Sequence, residues 1–227
     1  SRFYSRDVFV GDSLMNNAIR QQKSSGKVYF DKNKGKQRMT IKKFYPDFII
    51  TETTNIGFDR YEYQDKRKMN WQITNELKTI EGFDVQKATI NAFGRKWTAW
   101  FSVAYPFQDG PYKFHGLPGI IVEIEDAKKG HIFTLKGIKN LKPEEVWPLE
   151  TPKRYAKNLI ILDREKYKKV FQTYRNDPMK DWKPTMGGAI QFQASYNGKP
   201  MSAKEVEKMT KERLKKENNI LELDLLK

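Results

Sequence analysis

Two histidines, His115 and His131, are the only imidazoles in the chain, and it has no cysteine. Thiol catalysis, cysteine zinc sites and disulfide frameworks are therefore excluded. A serine triad would need one imidazole held between a serine and a carboxylate. None of H-E-x-x-H, G-x-S-x-G, a Walker loop or G-x-G-x-x-G occurs. His115 and His131 could share a metal with a carboxylate such as Glu123 or Asp126, because imidazole and carboxylate suit zinc or copper. A metal-assisted hydrolase on these two residues is the enzymatic alternative. The plainer reading is a loop histidine and a strand histidine satisfied by local hydrogen bonds. No catalytic residue and no cofactor is expected.

Basic charge is the second chemical signal. Lys and Arg number 43 against 28 Asp and Glu, a formal charge of +15. Between Arg20 and Lys43 nine basic residues face one acid, Asp31. Lys32, Lys34, Lys36, Arg38, Lys42 and Lys43 are the candidate basic face. Charge of this size concentrates anionic partners, whether nucleic acid, lipid head groups or polysaccharide. The run Lys42-Lys43-Phe44-Tyr45 interleaves cations with rings that could stack on single-stranded bases. Binding of nucleic acid or another anionic polymer through residues 20–43 is thus a second alternative. No RNP-like, zinc-finger or helix-turn-helix pattern accompanies the charge, so specific nucleic-acid recognition is not expected. A solvated hairpin surface is the plainer reading.

The least ordinary stretch is Gly110-Pro111-Tyr112-Lys113-Phe114-His115-Gly116-Leu117-Pro118-Gly119, followed by Ile120 and Ile121. Proline fixes φ near −65°, while glycine permits positive φ or the close approach of another segment. Leu117-Pro118-Gly119 fits a type II turn, which asks for positive φ at its glycine. The stretch reads as a rigid corner tucked against a sheet, with a binding loop as the functional alternative.

Such a corner needs strands around it. Residues 1–150 read as short strands: Lys27–Phe30, Arg38–Phe44, Phe48–Thr53, Asp59–Tyr63, a long β signal from Trp71 to Tyr105, Gly119–Glu125 and His131–Ile138. Trp97, Trp100 and Phe101 are its candidate sheet aromatics. Turn signals recurring about every eight to twelve residues suit an antiparallel meander. Residues 151–227 form a helical, basic tail. Asp163 caps one helix with Tyr167, Val170, Phe171 and Tyr174 on its apolar face. Ser202 and Glu205 form a capping box for a second, surface helix bearing Val206, Met209 and Leu214. Ile220–Leu223 could rejoin the sheet or extend that helix. The fold class is α+β: a mainly antiparallel, strongly curved sheet, a meander or half-barrel, with one or two C-terminal helices in a single domain over 1–227. No apolar run is long enough for a spanning helix. The start at Ser1-Arg2-Phe3-Tyr4 reads as that of a processed or trimmed product.

Three segments carry a family resemblance. Glu81–Thr89, Gly94–Phe101 and Gly110–Ile121 match, in order and spacing, the GLPGLI family (Porph_ging domain) of Bacteroidota. Trp71 with Glu76–Ile80 resembles the strand before them, and Ser1–Ser5 with Asp12-Ser13 the family's early region. Ile120 stands where the motif has Leu, and Val85 where relatives often carry Cys. The resemblance implies a secreted protein of unknown function, periplasmic or outer-membrane-associated, made with a signal peptide. It also implies a start inside the family's early region, with an N-terminal strand missing and an edge near residues 1–10 able to recruit one. By context alone it implies an accessory role beside TonB-dependent outer-membrane receptors. An envelope protein or receptor and an anionic surface are the expected partners, with the oligomeric state left open.

Overall fold

The structure, a computed structural model, describes residues 1–7, 10, 39–57, 59–140, 142, 159–180, 194–196 and 199–227. It divides into two compact units, residues 1–92 with 96–162, and residues 93–95 with 163–227. The protein is α+β, with two antiparallel-rich sheets and two helices late in the chain.

Two five-stranded sheets make up the first unit's framework. One orders β1 (Arg2–Phe3), β2 (Thr40–Phe44), β3 (Ile49–Ile56), β4 (Asp59–Asp65) and, out of sequence, β10 (Leu159–Leu162). The other runs in sequence order through β5 (Gln72–Ile80), β6 (Phe83–Ala92), β7 (Arg95–Ser102), β8 (Ile120–Asp126) and β9 (Ile132–Thr134). The meander expectation holds from β2 to β4 and again from β5 to β9, with the chain changing sheets between β4 and β5. It missed β10, which pairs with β4 in parallel, Leu159 against Arg60 through Leu162 against Tyr63. A strand four residues long, isolated by a long connection, carries too little pattern to be read as one. The expected strand at Lys27–Phe30 lies outside the described residues.

Register explains what the first sheet places on its buried face. Ile41 opposes Glu52, which opposes Tyr63; one row further on, Lys43 opposes Ile50, which opposes Asp65. Alternation along each strand puts both rows on the same side, and all six residues are buried. Three of the six are charged. The second sheet buries Ala88, Ile90, Trp97, Ala99, Phe101, Ile121 and Ile124 instead. Of the three expected sheet aromatics, Trp97 and Phe101 are fully buried. Trp100 is half-buried, with the Lys78 ammonium 4.0 Å from its ring centroid. A bulge beside Trp100 and Phe101 shifts the register against β8, which locally breaks ladder pairing.

The second unit holds α1 (Arg164–Asn176), the hairpin β11 (Ala194–Tyr196) to β12 (Lys199–Met201), α2 (Ala203–Lys216) and a closing 3-10 turn, Leu223–Leu226. Asp163 caps α1 by accepting from the Lys166 amide, and the Ser202–Glu205 capping box opens α2, as their spacing predicts. Ile220–Leu223 neither joins a sheet nor extends α2. Arg95 donates to Asn219 Oδ1 at 2.7 Å, to the Ile220 carbonyl at 2.6 Å and to the Leu221 carbonyl at 3.3 Å. The Leu223 amide donates to the Phe93 carbonyl at 2.9 Å. These bonds satisfy backbone groups that a helix would have used internally. Gly94 leaves room for them: a Cβ there would lie 2.8 Å from the Asp224 amide nitrogen.

Candidate functional site

The Gly/Pro-rich stretch between β7 and β8 meets both sheets of the first unit. Its turns are fixed by its own backbone: Phe114 N–H donates to Pro111 C=O at 3.1 Å and Gly116 N–H to Gln108 C=O at 3.0 Å. Tyr112 adopts φ 53° and Gly116 φ 86°. Left-handed backbone is ordinary for glycine but costly for an aromatic residue, so packing must hold Tyr112 there.

The loop's charges complement those on the buried face of the first sheet. Lys113, with a fully buried side chain, lies 2.7 Å from Glu52 Oε2 and 3.0 Å from Asp65 Oδ2, and donates to the Tyr63 hydroxyl at 2.6 Å. The Tyr63 and Tyr112 hydroxyls donate to Glu52 at 2.9 and 3.4 Å, and Arg67 closes on Asp65 from the far side. The second pair has the opposite polarity. Lys43 comes from the sheet and donates to Asp109 Oδ1 at 2.6 Å, Gly110 C=O at 2.6 Å and Phe114 C=O at 2.8 Å.

Burial sets the electrostatics. It disfavours the Lys43 ammonium and moves its pKa down, partly countered by Asp109. Burial would raise the Asp65 carboxyl, but Arg67 and Lys113 outweigh it and hold Asp65 well below the usual range. Asp109 is held low in the same way, by Lys43 against its own burial. Such a cluster fixes geometry more than it adds stability, since desolvation offsets most of the attraction. Its charged groups are spent on one another.

Against the second sheet the loop is apolar. Phe114 is fully buried, its ring centroid 4.9 Å from Trp97 and 6.1 Å from Trp71. Gly110 and Gly119 mark close approaches. A Cβ on Gly110 would fall 2.6 Å from Ile121 Cδ1, and one on Gly119 only 2.0 Å from the Ser102 carbonyl oxygen. Gly119 is not in the left-handed region, so the type II turn expected at Leu117–Gly119 is corrected. The glycine is needed there for space, and the positive φ belongs to Gly116.

His115 is buried in this corner. Its Nδ1 bonds to the Lys113 carbonyl at 2.8 Å, and since a carbonyl only accepts, the proton sits on Nδ1. The ring stacks on Phe48 at 4.8 Å, and the Trp71 indole donates to the His115 carbonyl at 2.8 Å. Burial lowers its pKa. His131 has other surroundings: its amide donates to Asp126 Oδ1 at 2.7 Å and its ring lies 6.3 Å from that of Trp97. Among the described residues no group of three His, Asp or Glu side chains is placed to hold a metal.

The basic-face residues fare differently. Lys32, Lys34, Lys36 and Arg38 lie outside the described residues. Lys42 is half-buried on β2. Lys43, expected on a charged surface, is buried under the loop, because alternation in Thr40–Phe44 sends it inward with Ile41. Glu52, Tyr63, Asp65 and Asp109 escaped sequence reasoning. The available signal was a charge two residues from a buried apolar one on three neighbouring strands.

The fold and site define an α+β protein built round a rigid Gly/Pro corner that is pinned by buried lysines. Residues 94–123, covering β7, the corner and the start of β8, match the family described as "Protein of unknown function (Porph_ging)". This is the family that the motif resembles. No curated protein matches the chain. Two solved structures are similar to it. "Structure of PNGF-II in P21 space group" has 14% identity and TM-score 0.44 over 63% of this chain and 26% of that one. "Structure of PNGF-II in C2 space group" has 15% identity and TM-score 0.42, with the same coverage. The chain thus spans 26% of the length of the structures it matches.

Proposed function

We propose that this is a non-enzymatic protein of the bacterial envelope, periplasmic or associated with the outer membrane, that binds a protein, peptide or lipid partner. In this reading it serves beside TonB-dependent uptake receptors. One observation carries the binding role: the corner's titratable groups, Lys43, Asp109, Lys113, Glu52 and Asp65, are consumed in holding the loop. They build a stiff scaffold, and a stiff scaffold presents neighbouring loops at little entropic cost on association. The match at residues 94–123 supports the family context, and the envelope location follows from the resemblance.

Capture with the tagged chain from native envelope at low salt tests the proposal. Enrichment of an outer-membrane receptor, peptide or lipid over an unrelated protein of equal positive charge is expected. Recovery of the same material by both baits would overturn it.

A further inference from the structure

Three chain segments meet at one end of the first unit, and two of them expose apolar side chains. The β2–β3 turn displays Phe44, Tyr45 and Ile49, and the segment after β7 displays Val103, Tyr105 and Phe107. Phe44, Val103 and Phe107 are 54%, 61% and 59% exposed. The two segments are tied together: Lys43 pairs with Asp109, and the Asp109 amide bonds to Phe107 C=O. Phe48, from the same turn, stacks on His115. The apolar tips are thus mounted on the pinned corner.

The third segment supplies charge. Since Ile50 opposes Asp65, β3 begins where β4 ends, and Lys66 and Lys68 emerge beside the exposed turn. Both are exposed, and among the described residues neither is paired with a carboxylate. Arg67 between them is turned back onto Asp65. Asp47 is the sole acid of residues 44–49, and Asp109, the acid of 103–109, is already paired.

We propose that this end of the first unit docks on an anionic lipid surface, Phe44 and Phe107 entering the interfacial region while Lys66 and Lys68 meet the head groups. Aromatic side chains suit that interface, and unpaired lysines near it add attraction to anionic lipid. The net charge of +15 acts in the same direction. The inference rests on the binding reading above and names its partner surface.

Sedimentation of the full chain with vesicles tests it, using phosphatidylcholine mixed with phosphatidylglycerol against phosphatidylcholine alone. A merely cationic protein would bind the mixed vesicles but release at high salt, because screening removes charge attraction and leaves apolar insertion. Binding to the mixed vesicles that partly survives high salt is expected. The Phe44→Ser/Phe107→Ser variant, unchanged in charge, should lose about tenfold of that salt-resistant affinity. Lys66→Gln/Lys68→Gln should lose about tenfold at low salt. All four substituted side chains are exposed, and near-ultraviolet circular dichroism verifies each fold. Equal salt-resistant binding by wild type and the double-serine variant, or none by wild type, would overturn the lipid surface. In that event, envelope capture of a receptor or peptide would leave the binding reading standing.

Discussion

Lys113 illustrates how one residue sets a local geometry. Replacing it with Met leaves Glu52 buried without a cation and Asp65 with Arg67 alone, which costs about 3–5 kcal/mol. A sharp fall in the denaturant midpoint is expected, with partial recovery in Lys113→Met/Glu52→Gln, where one stranded charge is also removed. If Lys113→Met alone were neutral, the buried cluster would not hold the loop. The glycines make a second contrast. Gly119→Ala drives a Cβ into the Ser102 carbonyl, and overpacking of that kind costs about 1–3 kcal/mol with backbone on both sides. Gly116→Ala meets open space and pays only for its left-handed φ, roughly 1–2 kcal/mol. Thermal melts should place Gly119→Ala no higher than Gly116→Ala; the reverse order would refute the close-approach account.

His115 gives the residue scale its pH dependence. Burial holds its pKa below the ordinary value in the folded state, so below about pH 6.5 the unfolded chain takes up the proton more readily. Stability at neutral pH is therefore lost as pH falls through that region. Asp65 and Asp109, both depressed, add a further loss below about pH 4, where the unfolded carboxylates protonate first. In urea titrations His115→Gln should flatten the first step and leave the second. A profile with both steps intact in the variant would assign the first to another group.

At the scale of elements, Arg95 and the segment 219–227 form one construction. Arg95→Ala removes the donors to Asn219, Ile220 and Leu221. Limited proteolysis should then cut within residues 217–227 faster than in wild type, with the helices still present by circular dichroism. Unchanged cleavage would mean that the Leu223–Phe93 bond and the Arg164–Asp224 pair, 2.7 Å, suffice alone. The elements themselves were the most legible part of the sequence. Strands β2 to β8 follow from alternation and turn residues, and both helices from their capping residues, because those signals act within a few residues of the chain. The parallel β10, the β11–β12 hairpin and the closing 3-10 turn had no such local signal.

For the whole molecule, the two compact units differ in how much each buries. The first unit holds two sheets with fully buried Trp97, Phe101, Phe114 and Ile124, whereas among the described residues of 163–227 the buried apolar side chains are Tyr167, Met179, Leu214, Leu221 and Leu225. Local opening follows buried apolar contact. Hydrogen exchange should therefore label amides of α1 and α2 well before those of β6 to β8. Equal protection throughout would mean that the chain opens as one cooperative body. The exposed apolar tips also belong to this scale, since their effect depends on several of them standing out together.

By itself the sequence determined the α+β class, the capped helices, the strand-rich first part and the Gly/Pro corner with its family likeness, because each of these is written in residues a few positions apart. Tertiary structure alone decided that Lys43 and Lys113 are interior pins, that Gly119 is there for a carbonyl oxygen of Ser102, and that the segments exposing Phe44 and Phe107 are joined through Lys43 and Asp109. Those outcomes depend on register and on loop placement between sheets, which join residues dozens of positions apart. A one-residue slip in pairing would turn Lys43 to the opposite face of its sheet.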